Sequence, residues 1–125
     1  MKFTREISII IPTLNEEEYL DRLLSRVGDN REGLEIVVVD GGSRDATLEI
    51  AKRHGVHIIQ TEPGRARQLN TGSKASTKEL LWFVHADTLP PVNWREKMEA
   101  SLQAGFMAGC FCFEFDENTG VRRVN

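Results

Sequence analysis

The chain has 125 residues, of which 40% are hydrophobic and 28% are charged. This length and this balance predict one globular domain with a buried core, and they exclude a disordered protein. Because the formal net charge is −3 at pH 7, bulk charge would not attract nucleic acid or anionic membrane, and a bound phosphate needs a local site.

Strand and helix patterns alternate in the first half of the chain. Residues 7–11 are rich in isoleucine and end at Pro12, and Leu34–Asp40 is almost continuously apolar, as in a strand that a parallel sheet buries on both faces. A capping box that opens with Asn15 predicts the first helix, which ends at Gly28. The other predictions in this half are a helix over residues 46–54, capped by Gly55, and a strand over residues 56–60.

The same alternation continues in the second half. A helix is predicted over residues 65–75, a buried strand over residues 80–84, a helix from a second capping box at Asn93 to Gly105, and a strand over residues 110–115. Strands that alternate with helices predict right-handed crossover connections. The predicted fold class is therefore α/β, with an open, mainly parallel sheet and helices on both faces, in one domain that spans residues 1–125.

No targeting or membrane segment is predicted. The apolar run before Pro12 is too short for a signal peptide, and the longest weakly polar run is far below the ~18 residues that span a bilayer. Cys110 and Cys112 lie one residue apart on a predicted strand, a spacing that rarely permits a disulfide. These features predict a cytoplasmic protein without an integral membrane segment.

Small and acidic residues cluster where the predicted strands end. They follow the first strand at 12–15, the second at 40–45 and the fourth at 85–88. Ligands of open parallel sheets bind beyond the carboxyl ends of the strands. Because the chain lacks a dinucleotide fingerprint, a phosphate-binding P-loop, a nucleophile elbow and a structural zinc pattern, these clusters predict a pocket of carboxylates and hydroxyls with arginines nearby.

Four segments in this order resemble the motifs of family 2 glycosyltransferases of the GT-A fold. They are SIIIPTLNE at 8–16, VVDGGSRDAT at 38–47, GRARQLNTG at 64–72 and HADT at 85–88. The HADT variant is similar to a bacterial branch often called radical-SAM/selenodomain-associated. The resemblance implies a Rossmann-like GT-A sheet, and it covers only the N-terminal, donor-binding half. Family members continue into an acceptor pocket and a catalytic base, so the catalytic residues of this chain stay unknown.

The same resemblance implies roles for individual residues. Asp87 would hold a divalent metal, Mn²⁺ or Mg²⁺, whereas a turn or capping role is its alternative. Asp40 would accept a hydrogen bond from the nucleotide base, again with a turn role as the alternative. His85 stands in place of the first acid of the usual Asp-x-Asp pair, and its role is left open. The predicted substrate-binding residues are Pro12, Thr13, Glu16, Asp40, Gly41, Gly42, Arg65, Arg67, Asn70, His85 and Ala86.

The resemblance predicts metal-assisted transfer of a sugar, with inversion, from a nucleoside-diphosphate sugar to the hydroxyl of an unknown acceptor, and no nucleic-acid partner. Two alternatives stay open. One is a donor-binding module without turnover, because the half that bears the base is absent, and the other is a nucleotidyltransferase. The alternating stripe of Phe111, Phe113 and Phe115 predicts either core packing or a face that the absent half would cover. In the second case the chain exposes an apolar patch through which it would form a homo-oligomer.

Overall fold

The computed structural model describes residues 5–29, 31–109, 113–115 and 122–124. Eleven elements lie in this part of the chain. The strands are β1 (Ile7–Thr13), β2 (Leu34–Asp40), β3 (His57–Gln60), β4 (Leu80–Phe83), β5 (Thr88–Leu89), β6 (Phe113–Phe115) and β7 (Arg122–Val124). The helices are α1 (Leu20–Val27), α2 (Thr47–Arg53), α3 (Arg65–Ala75) and α4 (Trp94–Gln103).

The main sheet has four parallel strands in the order β3-β2-β1-β4. In its register Thr13 of β1 lies beside Asp40 of β2, so these two strands end together. The predicted α/β class with a parallel sheet is confirmed. A small second sheet, in the order β5-β7-β6, follows the main sheet in the chain.

Helices cover both faces of the main sheet because β1 and β2 are apolar on both sides. On one face Ile7, Ile9 and Ile11 pack with the buried side of α1 and with α2. On the other face Ile10 packs with Leu69 of α3. A fully buried aliphatic side chain contributes roughly 1.5–3 kcal/mol, so these contacts fix the central strands and the position at which they end.

Helix α3 lies unusually close to the sheet. A Cβ atom built on Gly72 would lie 2.5 Å from Cγ2 of Ile10 and 3.0 Å from Cγ2 of Val39. Only a residue without a side chain permits this approach. The close contact brings the first turn of α3 over the ends of β1 and β2.

Both predicted capping boxes are wrong. Helix α1 begins at Leu20, and Asn15 adopts φ 55° with its Oδ1 accepting a 2.8 Å hydrogen bond from the backbone N–H of Arg44. Asn15 therefore joins two loops instead of capping a helix. Asn93 does precede α4, but its side chain makes no capping hydrogen bond. Gly55, in contrast, follows α2 with φ 66°, as predicted for a C-terminal cap.

The expectation that β4 is buried is also wrong. Leu81 is 40% exposed and Phe83 is 47% exposed, while Leu80 and Trp82 pack on the core face. The reason is that β4 lies at the edge of the described sheet, whereas α3 packs against β1 and β2.

Few of the predictions for the last residues of the chain can be compared with the structure. Strand β6 agrees with part of the strand predicted over residues 110–115, but Cys110, Phe111 and Cys112 lie outside the described residues, as do the side chains of β6. Strands β5 and β7 were not predicted, because two or three residues carry too little periodicity. None of the helices in the described ranges is long and apolar enough to cross a bilayer.

Candidate functional site

A pocket opens at the carboxyl ends of β1 and β4, beside the first turn of α3. Its volume is about 250 Å³, just below the roughly 300–1,000 Å³ that is typical of small-molecule sites. Three segments build it: the end of β1 with the loop after it, the start of α3, and the loop after β4. Its lining residues are Pro12, Thr13, Leu14, Glu16, Gly64, Arg65, Gln68, His85, Ala86 and Asp87.

The loop after β1 is held by hydrogen bonds to the loop after β2. The backbone N–H of Asn15 donates to Oγ of Ser43, and that of Glu16 donates to Oγ1 of Thr47, each at 2.8 Å. Oδ1 of Asp45 in turn accepts from the hydroxyl of Thr47. Glu16 is thereby fixed at the pocket wall before any ligand binds.

Negative charge dominates one side of the pocket. Burial raises the pKa of the Glu16 carboxyl above its usual value, and the negative charges of Asp87 and then Asp45 raise it further. The carboxyl groups of Glu16 and Asp87 are therefore close enough in the pocket to repel each other when both are ionised. A cation bound here would relieve this repulsion, because an opposite charge favours ionised carboxyl groups.

Asp40 lies beneath the pocket in a tight turn. Its side chain is fully buried, and Oδ1 accepts hydrogen bonds from the hydroxyls of Thr13 and Ser43. Oδ2 accepts from the backbone N–H groups of Gly42 and Ser43. Burial alone would raise the pKa of Asp40, but the hydrogen bonds from Ser43, Thr13 and Gly42 together lower it. All four acceptor positions of this carboxylate are used.

The structure brings seven of the predicted residues together in the pocket. These are Pro12, Thr13, Glu16, Arg65, His85, Ala86 and Asp87. The other five do not line it. Asp40 and Gly41 are buried, and Gly42, Arg67 and Asn70 are exposed outside it. Contact between Asp40 and a nucleotide base stays a prediction, and it would require the release of one of the four hydrogen bonds.

Three lining residues were not predicted: Leu14, Gly64 and Gln68. Gln68 is a buried polar side chain on the face of α3 that approaches the sheet. Gly72 lies four residues later on the same face, and a glycine at that spacing is the sequence signal that could have identified this face.

The side chains of the pocket could supply part of the ligand set of a divalent cation, with a bound anion supplying the rest. Among the described residues no group of three or more histidine, cysteine or acidic side chains could hold a metal ion unaided. Asp87 offers carboxylate oxygen, which suits Mg²⁺ and Mn²⁺, and a diphosphate with water would supply the other ligands. Arg65 contributes positive charge to the same pocket.

Comparison with known proteins identifies relatives along most of the chain. A family model described as glycosyl transferase family 2 matches residues 8–125. An uncharacterized glycosyltransferase of Mycobacterium tuberculosis (strain ATCC 25618 / H37Rv) is 30% identical over 100 residues, which are 79% of this chain and 44% of that protein. The chain thus spans less than half the length of this relative.

Two solved structures share the fold. S. aureus TarS (1–349) superposes with a TM-score of 0.73 at 28% identity, covering 79% of this chain and 32% of that chain, and it is also solved in complex with UDP. Glucosyl-3-phosphoglycerate synthase from M. tuberculosis, solved with Mn²⁺, UDP and glucosyl-3-phosphoglycerate, superposes with a TM-score of 0.69 at 23% identity. That match covers 81% of this chain and 40% of the synthase chain.

Proposed function

Because its residues 8–125 match the family model, the chain belongs to glycosyl transferase family 2, and we propose that its pocket binds a nucleoside-diphosphate sugar for transfer of the sugar to an acceptor hydroxyl. One observation carries this proposal. Arg65, Glu16 and Asp87, from three separate segments, line one pocket at the carboxyl ends of parallel strands. Such a position is where open α/β sheets bind ligands.

The diphosphate is the part of the donor that this pocket suits best. Arg65 is exposed at the first turn of α3, and its planar guanidinium can donate two parallel hydrogen bonds to phosphate oxygens. Asp87 lines the same pocket and would hold the divalent cation, with His85 two residues before it. When bound, the cation stabilises negative charge on the departing diphosphate.

The nucleoside would lie along the end of β1. Pro12, Leu14 and Ala86 give this side of the pocket an apolar surface, while the hydroxyl of Thr13 points away to Asp40. Arg67 and Asn70 are exposed on α3 beyond the pocket. We propose that these two side chains contact the parts of the donor that extend out of the pocket.

The proposed reaction exchanges one bond at the anomeric carbon. The acceptor oxygen forms a bond to that carbon as the bond to the diphosphate oxygen breaks, with inversion, and the hydroxyl proton passes to a base. Within this chain Arg65 binds the leaving group and the loop after β1 orients the nucleoside. The base and the acceptor are not assigned to any described residue.

The relatives support this choice of ligand. TarS is solved with UDP, and glucosyl-3-phosphoglycerate synthase is solved with Mn²⁺ and UDP. We therefore propose UDP as the first nucleotide to test, with GDP and CDP as comparisons. A cytoplasmic location and a homo-oligomeric state stay predictions from the sequence.

Calorimetric titration of the chain with UDP, GDP and CDP, with and without Mn²⁺, tests the proposal. We expect one diphosphate to bind only when the metal is present. In Asp87→Asn we expect most of this metal-dependent affinity to be lost. Asp29→Asn, which removes an exposed carboxylate after α1, is the matched control. Equal binding by the two variants would refute the role of Asp87.

The products distinguish the proposed enzyme from its alternatives. A glycosyltransferase releases a free nucleoside diphosphate from the sugar donor when an acceptor is present. A nucleotidyltransferase instead releases pyrophosphate from a nucleoside triphosphate as it joins the nucleotide to a sugar phosphate. A binding module without turnover would bind the donor and release neither. Analysis of the products by anion-exchange chromatography separates these outcomes.

A further inference from the structure

Gln68 makes three hydrogen bonds, two of which join the start of α3 to the central strands β1 and β2. It is 4% exposed. Its side-chain Nε2 donates to the backbone carbonyl of Thr13 and to that of Val39, each at 2.9 Å. Its Oε1 accepts from the backbone N–H of Gly64 at 3.2 Å. Both amide hydrogens and the amide oxygen are therefore used.

These contacts converge on the ends of the strands, not on their middle. Thr13 is the last residue of β1 and lines the pocket, and Gly64 is the N-terminal cap of α3 and also lines it. The surroundings leave little room for movement. A Cβ atom on Gly41 would lie only 3.0 Å from Oε1 of Gln68 and 3.1 Å from Cα of Pro63.

We propose that Gln68 is a positioning residue, which fixes Gly64 and Arg65 in the first turn of α3 relative to the ends of β1 and β2. This inference rests on the proposed function, in which Arg65 binds the diphosphate. Arg65 comes three residues before Gln68, so it lies on the same side of the helix. Without the amide, α3 keeps the packing of Gly72 against Ile10, but its first turn loses the hydrogen bonds to the strand ends.

The strength of the effect follows from the kind of bond that is lost. Gln68→Met keeps the length of the side chain but leaves the buried carbonyls of Thr13 and Val39 without the amide donor. In the described part of the chain, the first turn of α3 would then keep no hydrogen bond to β1 or β2. A small displacement of a binding group can lower function by up to about a hundredfold, and we expect UDP affinity to fall by about tenfold or more.

The test compares Gln68→Met with Ser76→Ala. Ser76 lies at the other end of α3, where its hydroxyl donates a 2.7 Å hydrogen bond to the carbonyl of Gly72, so its loss weakens the helix far from the pocket. For each variant the calorimetric affinity for UDP with Mn²⁺ is measured beside the melting temperature. Gln68→Asn, which keeps the amide on a shorter side chain, serves where Gln68→Met does not fold.

A second readout needs no ligand. Hydrogen exchange of the backbone amides of Gly64 and Arg65 reports the opening of the first turn, and we expect faster exchange there in Gln68→Met, with exchange unchanged in the middle of α1. Unchanged exchange at Gly64, or a UDP affinity no lower than that of Ser76→Ala, would overturn the inference. If the unmodified chain binds no nucleoside diphosphate, the proposed function fails, and the exchange data still decide the role of Gln68.

Discussion

Gly72→Ala tests how closely α3 must approach the sheet. A methyl group at this position would lie 2.5 Å from Cγ2 of Ile10, which is about 1 Å short of an ordinary carbon–carbon contact. Ile10 and Val39 are both fully buried, so neither side chain can move aside at low cost. The added methyl must therefore push α3 away from the sheet.

Two effects of opposite sign act in this variant. Alanine is favoured over glycine inside a helix by about 1 kcal/mol, which alone would stabilise the protein. Insertion of a methyl group into a packed core costs about 1–3 kcal/mol, and with two contacts closer than 3.4 Å we expect a cost near the upper end. The net result is a loss of about 2 kcal/mol in the free energy of unfolding, or about 8 °C in melting temperature.

Thermal and urea denaturation measure this loss, and Lys74→Ala, an exposed position on the same helix, is the control. We expect the control to change stability by less than about 0.5 kcal/mol. The affinity of Gly72→Ala for UDP should fall as well, because the displaced helix carries Arg65. A melting temperature above that of the unmodified chain would mean that helix propensity prevails, and it would refute the close packing described for α3.

Two further predictions concern the pocket and the turn beneath it. Arg65→Ala should lower UDP affinity by about tenfold, which is a larger loss than we expect for Arg67→Ala. Lys52→Ala is the surface control. A larger loss of affinity in Arg67→Ala than in Arg65→Ala would show that the pocket does not hold the diphosphate. Asp40→Asn should cost about 1–3 kcal/mol at neutral pH, because an amide cannot accept all four hydrogen bonds. Hydrogen bonding lowers the pKa of Asp40 in the folded chain below the unfolded value of about 3.9. The contribution of Asp40 to the free energy of unfolding is therefore complete above the unfolded pKa, and it is lost as the pH falls through the folded pKa. Urea midpoints measured across the acid range should therefore fall less steeply for Asp40→Asn, and parallel curves would contradict this account.

The sheet could be predicted because its signals are local. Leu34–Asp40 is a strand with the predicted bounds, since a short, almost continuous apolar run rich in β-branched residues favours a strand that is buried on both faces. Helix α3 also has its predicted bounds. The exposure of Phe83 could not be predicted in this way, because an edge strand differs from a central one only in its neighbours, and the sequence of β4 does not contain them.

The candidate site was predicted in part for a related reason. The end of a strand determines that Thr13 and Asp40 lie at the pocket edge of the sheet, but it does not determine where their side chains point. Thr13 directs its hydroxyl to Asp40, and Asp40 accepts hydrogen bonds from its own turn. Such a choice depends on which donors the fold brings nearby, and Ser43 and Gly42 supply them here.

Gln68 shows why the remaining residues of the pocket could not be predicted from sequence patterns. A glutamine in a weakly amphipathic helix normally indicates a solvated position, because burial of an amide without partners costs several kcal/mol. Here the partners are the carbonyls of Thr13 and Val39, which lie 55 and 29 residues away in sequence. No local pattern contains that information. The same distance in sequence makes the residue informative once the fold is known, because an amide that joins a helix to two strand ends at a pocket restrains the geometry of that pocket.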